Sequence, residues 1–367
     1  MAAYVWENKT LQALWRPRDG AGLLSFDNAL WLLGGWRLRE DGPTGPGSLV
    51  DTAFVGTAWT VDSEVWRSDD DGCSWTCVQP QCAWAGRHTA GYAVHAGRMW
   101  VIGGDIYTNS ADVWSSSDGI EWACHTDDAP WGGRVLPYVT SFNGALWLMG
   151  GQAMPQFAHY GASTPALHRP GKADAFYSDV WRSEDGESWE RVMEHAQWGP
   201  RGMIGAPGAV KDGYLWLFSG GTYETPDKNE RQFCNDVWRT RDGVEWECVL
   251  EAAPWGARQY SEIAAFDDRL WVVCGYGIDA TVTTTLPMES EALAAQHAGN
   301  RKDVWCSRDG VEWLEVADSP FLPRHASSVC VHGDALVLMA GNAVAPDGSW
   351  DVCDVWALRR KAAAPML

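Results

Sequence analysis

Residues 84–122 read WAGRHTAGYAVHAGRMWVIGGDIYTNSADVWSSSDGIEW, and nearly every landmark in this run returns elsewhere in the 367-residue chain. Trp84-x-x-Arg87 leads into a stretch of small and apolar residues. Then come Met99-Trp100, the glycine pair Gly103-Gly104, Asp112-Val113-Trp114, and a Ser-x-Asp-Gly-x-x-Trp that ends at Trp122. The closing Trp of one copy stands twelve residues before the Arg of the next: Trp6/Arg18, Trp75/Arg87, Trp122/Arg134, Trp189/Arg201 and Trp246/Arg258, with Trp313/Arg324 one residue shorter. An interval that recurs along a chain marks a repeat architecture.

Each copy holds four short β-rich runs bounded by Gly, Asp and Asn, which predicts four antiparallel strands, a to d. In the quoted copy they span 87–95, 99–104, 112–116 and 121–125. Asp118-Gly119, Asp185-Gly186, Asp242-Gly243 and Asp309-Gly310 supply the tight turn between c and d. A sheet apolar on both faces cannot stand alone; stacked radially on copies of itself it buries both faces, which is a propeller. The expected blades are 18–79, 87–126, 134–193, 201–250, 258–316 and 324–358, the last completed by residues 3–7. The final copy stops after Asp354-Val355-Trp356, and Tyr4-Val5-Trp6 precede Arg18 by the standard interval, so the N-terminal strand supplies the missing strand d. One blade built from both termini fastens the ring and covers two strand edges. The expected fold is therefore all-β: a six-bladed β-propeller of four-stranded antiparallel blades, one domain over 1–367.

Gly34-Gly35, Gly103-Gly104, Gly150-Gly151 and Gly220-Gly221, each followed later by a Trp, resemble kelch repeats; Cys274-Gly275 and Ala340-Gly341 relax the pair. Ser68-x-Asp70-x-Gly72-x-x-Trp75 resembles the sialidase Asp-box, which other copies lack, and both families are propellers. The kelch resemblance implies that the residue after each Arg and the residue after each glycine pair line the mouth of the central channel. The enzymes of that family leave the chemistry open. The copper ligands of galactose oxidase have no recognisable counterpart here. No Glu starts the Glu-x-x-x-Asp-x-x-x-His iron motif of thiocyanate-forming and nitrile-specifier proteins, and no catalytic residue of the bacterial sialic-acid mutarotases can be matched.

Composition narrows the partners. With 28 basic and 48 acidic residues the net charge is −20, a surface that repels phosphate backbones and anionic membranes, so neither nucleic acid nor membrane is expected. No apolar run approaches a membrane span, and MAAYVWENKT lacks the pattern of a signal peptide. The ten cysteines form no disulfide framework, and a reduced cytoplasmic protein is expected.

A residue that every blade carries is one that every blade needs; a residue that breaks the pattern needs another reason. Of 25 tryptophans, all but Trp36, Trp59 and Trp350 fall on repeat positions, and these three lie in b–c loops, where they are candidates for ligand stacking or for packing inside the loop. Arg18, Arg87, Arg134, Arg201, Arg258 and Arg324 recur strictly and are expected to be structural, bonding backbone carbonyls between blades. The interval from strand b to the strand c Trp is 35, 14, 34, 22, 34 and 19 residues in blades 1 to 6. Three long loops, 36–63, 152–178 and 276–302, are therefore expected to wall one opening.

The side chain after each Arg points opposite to it. Those residues are Asp19, His88, Val135, Gly202, Gln259 and His325. After the glycine pair stand Trp36, Asp105, Gln152, Thr222, Tyr276 and Asn342. Blades 6, 1 and 2 are neighbours across the closure, so His325, Asp19 and His88 should converge, joined by Asp105. Two imidazoles and a carboxylate could hold one divalent transition metal with open positions, or serve without metal as general acid and base, or only hydrogen-bond in a polar mouth. Glu262 is a second irregular carboxylate, set deeper. The candidate catalytic residues are His88, His325, Asp19, Asp105 and Glu262, with His88, His325 and Asp19 as the metal alternative. Trp36, Trp59, Trp350, Tyr276, Gln152, Gln259 and Asn342 are the candidate ligand contacts. The expected function is binding, and acid–base or metal-assisted turnover (isomerisation, elimination or cyclisation), of a small polar or aromatic molecule. The alternative is a protein-interaction module.

Overall fold

The computed structural model describes residues 4–38, 59–105, 109–153, 175–202, 208–222, 230–278, 285–287, 298–345 and 348–361. Among them every regular element is a strand, and no helix is long and apolar enough to cross a membrane. Six four-stranded antiparallel sheets run a-b-c-d in order. In blade 1 the strands are Gly22–Phe26, Ala29–Leu33, Val65–Ser68 and Thr76–Gln79. In blade 6 they are Ser328–His332, Ala335–Met339, Val355–Arg360 and, as strand d, Tyr4–Thr10 from the opposite terminus. Tyr4 pairs with Arg360 and Asn8 with Trp356, which closes the ring as expected. The Tyr4 hydroxyl donates to Asp267 of blade 5 at 2.5 Å, and burial together with that carboxylate pushes the phenol up to about 12. Leu24, Ala93, Thr140, Val210, Ala264 and Val331, one per blade, line an axial channel of about 280 Å³.

The repeated Trp-x-x-Arg builds the hub of each blade. The six arginines are buried, none more than 3% exposed. The Arg87 guanidinium donates to the Gly103 carbonyl at 2.8 Å and binds both oxygens of Asp112, at 2.6 and 2.9 Å. Asp112 also accepts from the indole of Trp114 two residues on. Blades 3 to 6 repeat this with Asp179, Asp236, Asp303 and Asp354. Blade 1 substitutes Glu64, with Asp62 and Arg37 joining the network. The guanidinium also lies against the ring of the preceding Trp, or Phe321 in blade 6, and that ring meets the strand d Trp edge-on, as in Trp84–Trp122 and Phe321–Trp6. The arginines are thus structural, with one correction: their side chains bond within their own blade. Fixed from several sides, each Arg instead presents its main-chain carbonyl to the blade before it. Gly35, Gly104, Gly151, Gly220, Gly275 and Gly341 donate to the carbonyls of Arg87, Arg134, Arg201, Arg258, Arg324 and Arg18 at 2.8–3.0 Å. The last of these joins the two ends of the chain.

That contact explains the glycine pair and why it relaxes at one position only. The first residue of each pair sits near φ +60, a left-handed conformation that other residues adopt with some strain: Gly34 (+63), Cys274 (+57) and Ala340 (+59). The second lies between +89 and +110, outside the range open to a side chain, and is Gly in all six blades. In blade 4 the pair proves to be Ser219-Gly220 (φ +67 and +92), so Gly221, and not Thr222, occupies the mouth position there. A second correction concerns strand a, which starts about four residues after the Arg. At Gly341 an added Cβ would sit 2.9 Å from the His325 carbonyl. Gly341→Ala should therefore lower stability by at least about 2 kcal/mol, whereas Ala340→Gly should stay within about 1 kcal/mol of the wild type. Chemical denaturation of the two variants checks this contrast.

Candidate functional site

Freed from strand a, the segment after each Arg crosses the mouth as part of a three-residue rung. The residue after Arg pairs with the residue after the glycine pair: Asp19 with Trp36, Val135 with Gln152, Gly202 with Gly221, Gln259 with Tyr276 and His325 with Asn342. The second member pairs in turn with the residue three before the strand c acid, namely Val61, Asn109, Phe176, Phe233, Asn300 and Asp351 in blades 1 to 6. Sequence reasoning found the first two columns and missed the third. Its signal was available as another irregular position at fixed distance from a regular one.

One residue further in, Gly20, Thr89, Leu136, Tyr260 and Ala326 all have φ between +49 and +56. Their amides join blade to blade: Gly20 donates to Ala326, Thr89 to Gly20, Leu136 to Thr89 and Ala326 to Tyr260, at 2.9–3.3 Å. This hoop holds four side-chain-bearing residues in a conformation that disfavours them, including β-branched Thr89, and strain of that kind gathers at functional sites. Leu136 of blade 3 packs with Tyr260 of blade 5, two blades away. Gly20 admits the His88 ring, because a Cβ there would collide with the imidazole edge.

Two of the expected residues meet, and a third lies within range of their charges. His88 Nε2 lies 3.4 Å from Asp19 Oδ1, both side chains under 9% exposed. Trp36 covers His88 at 5.3 Å between ring centroids. His325 packs against both Tyr260 and Tyr276, at 5.2 and 5.8 Å between ring centroids. It donates from Nδ1 to Asn300 Oδ1 at 2.7 Å. Burial between those rings pushes its imidazole down to about 4, against the opposing pull of Asp19, and the positive fields of His88 and Arg231 add to the fall. Asp351, unforeseen from sequence, accepts from Asn342 at 3.1 Å. Its carboxyl is raised well above the usual range, first by burial and then by the charge of Asp19 beside it. The two shifts run in opposite directions, and each favours the uncharged form of its group.

The remaining candidates separate. Gln259 is buried and braces the loops, donating to the Thr222 and Gln232 carbonyls at 3.0 and 2.6 Å. Glu262 opens strand a of blade 5 and is buried. Gln152 is fully buried, and neither atom of its amide meets a hydrogen-bonding group of the protein. Asp105, Trp59 and Trp350 are placed by backbone pairing only; their side chains lie outside the described residues, as do the loop bodies 39–58, 154–174, 279–284 and 288–297. The described ends of the long loops form short ribbons, and one strand of the shorter blade 4 loop, Glu230–Phe233, pairs with Thr285–Pro287 of blade 5. The metal alternative needs correcting: among the described residues no three His, Cys, Asp or Glu side chains come close enough to hold one ion. Asp19 and His88 approach one another, while the His325 Nδ1 is committed to Asn300. His95 and His332 are buried at matching strand a ends and bond Ser141 and Ser25 of the next blade at 2.9 and 2.8 Å.

Fold and mouth together define a six-bladed β-propeller with a polar, partly aromatic opening. A solved structure described as "Structure of YjhT" is similar to it, with a TM-score of 0.64 over 95% of this chain and 96% of that one, at 12% sequence identity. No protein-family model matches the sequence, and no curated protein matches it either. The shared feature is therefore the fold.

The depressed His325 has a consequence for acid stability. Between pH 6.5 and about 4 the unfolded chain binds a proton there that the folded chain refuses, so this group's contribution falls as pH drops through that window. The difference of about 2.5 pH units corresponds to at most about 3 kcal/mol. Asp351, shifted the other way, stabilises the fold at low pH and loses that contribution as pH rises through its folded value. Unfolding free energies of the wild type and of His325→Gln, measured across pH 4 to 7, isolate the histidine. The wild type should gain on the variant by up to about 3 kcal/mol as pH rises, and parallel curves would count against a neutral buried imidazole.

Proposed function

We propose that this chain is a kelch-type propeller whose mouth binds a small polar or aromatic molecule and moves a proton on it, an isomerase- or lyase-like activity in a reducing cytoplasm. The observation that carries this reading is the pairing of Asp19 with His88, with His325 and Asp351 within range of the Asp19 charge, at positions where the repeat demands nothing of the kind. Blades 3 and 4 manage with Val135 and Gly202 at the column that carries Asp19, His88 and His325. Buried oxygens of Asp19, Gln259, Ser261, Ser327 and Asp351, and the whole Gln152 amide, have hydrogen-bonding capacity that the protein does not use. Buried polar groups with unused capacity suit a bound ligand.

In this reading His325 Nε2 takes a proton from the substrate and Asp351 delivers its own to a second substrate atom, so that proton number is conserved. Opposite displacement of the two groups from their ordinary ranges favours the uncharged form of each. Asp19 holds His88 and adds to the rise of the Asp351 carboxyl, while Trp36 and Tyr276 offer aromatic faces. The rival use, a docking platform for another protein, draws support from Leu11 and Leu14, which are 66% and 77% exposed on the link between blades 6 and 1.

Ligand-observed NMR against a panel of small hydroxylated, carbonyl and aromatic compounds separates the two. The wild type should show saturation transfer to one chemical class, and the double variant His88→Ala/His325→Ala should lose it while keeping its melting temperature within a few degrees. For a compound that is turned over, either single variant should cost about 10²–10⁴ in rate. Undiminished binding and turnover in the double variant would reject the acid–base centre.

A further inference from the structure

Asn300 lies in blade 5, yet its side chain acts on blade 6. Its Nδ2 donates to the Asn342 carbonyl at 2.8 Å, and its Oδ1 faces His325 Nδ1 at 2.7 Å. These two contacts fix the amide. A carbonyl only accepts, so the NH₂ must point to Asn342, and turning the amide over would set two acceptor oxygens against each other. The oxygen left facing His325 accepts, and the neutral imidazole must therefore carry its proton on Nδ1. The backbone gives the amide no freedom to drift, since Asn300 pairs with Tyr276, whose ring packs against the same histidine. Nor does the repeat require an amide there: Val61, Phe176 and Phe233 fill the equivalent place in blades 1, 3 and 4.

We infer that Asn300 is a positioning residue: it locks His325 as the Nδ1–H tautomer, so that Nε2 carries the lone pair on the opposite edge of the ring. A neutral imidazole in water favours the other tautomer, which would place a proton where a base needs an electron pair, so the hydrogen bond selects the ring's chemistry. The purpose of that selection rests on the acid–base reading above, whereas the tautomer itself does not. The same amide continues a polar chain through four blades: His325 to Asn300, to Asn342, to Asp351, and by charge to Asp19 beside His88.

The test is a long-range ¹H–¹⁵N correlation spectrum of the full chain labelled on histidine nitrogens, at pH 7, with His325 assigned by the signal lost in His325→Gln. The wild type should show Nδ1 protonated and Nε2 bare, by at least about tenfold over the other tautomer. Asn300→Ala should shift the balance to Nε2–H. Asn300→Asp retains an acceptor, so it should keep the Nδ1–H form and raise the imidazole by one pH unit or more. A wild-type spectrum dominated by Nε2–H overturns the inference whatever the variants do, as does an unchanged tautomer in Asn300→Ala. Should Asn300→Ala fail to fold, the wild-type and Asn300→Asp spectra decide. An Nδ1–H imidazole that depends on Asn300, in a protein whose mouth takes no small molecule, would leave this inference standing and sink the acid–base reading instead.

Discussion

Six buried guanidinium groups set the geometry from which the rest of this molecule follows. Each is held by a strand b carbonyl, a strand c carboxylate and an aromatic ring of its own blade, as Arg87 is by Gly103, Asp112 and Trp84. Burying a charge is costly unless it is paired and bonded, and a broken buried pair loses about 3–5 kcal/mol because its partner is stranded. The side chain is therefore not free to move, and neither is the peptide attached to it. Its carbonyl becomes the fixed acceptor for the glycine of the preceding blade. A neutral hydrogen bond of this kind contributes only about 1 kcal/mol net, so the importance of the six contacts lies in the register they impose.

The same constraint releases the neighbouring residue. With Arg fixed in the blade, the repeat does not prescribe the next side chain, and that column reads Asp19, His88, Val135, Gly202, Gln259, His325 while the arginines never vary. Chemistry then collects on one arc of the ring. Blades 5, 6, 1 and 2 supply Asn300, His325, Asp351, Asp19 and His88, and among the described rung residues of blades 3 and 4 only Gln152 carries a polar side chain. The left-handed hoop beneath brings five of the backbones close around the throat, at the cost of strain at Thr89, Leu136, Tyr260 and Ala326.

The fold was legible because its causes are local and repeated. Blade number, the c–d turns and the completion of blade 6 by Tyr4–Trp6 all follow from intervals. The third rung column was harder to see, since Asn300 and Asp351 become mouth residues only through pairing across loops of different length. The one-residue shift in blade 4 was hidden because Ser219 takes a left-handed conformation next to two glycines, so the pair cannot be placed from composition. Periodicity foresaw that Asp19 and His88 of successive blades approach one another. It could not show that the His325 ring turns to Asn300. Gln259 broke the pattern and also braces the loops, so pattern-breaking alone does not separate a structural part from a functional one.

The central claim, that interblade bonds from glycine to the arginine carbonyl unite the chain into one closed cooperative ring, is tested most directly by native-state hydrogen exchange at six amides. Gly35, Gly104, Gly151, Gly220, Gly275 and Gly341 should exchange together, at the free energy of global unfolding, with Gly341 as protected as the rest although its acceptor Arg18 lies at the other end of the chain. Markedly faster exchange at Gly341 would mean that the ring opens at its seam before it unfolds, and that the blades are joined by sequence more than by this register.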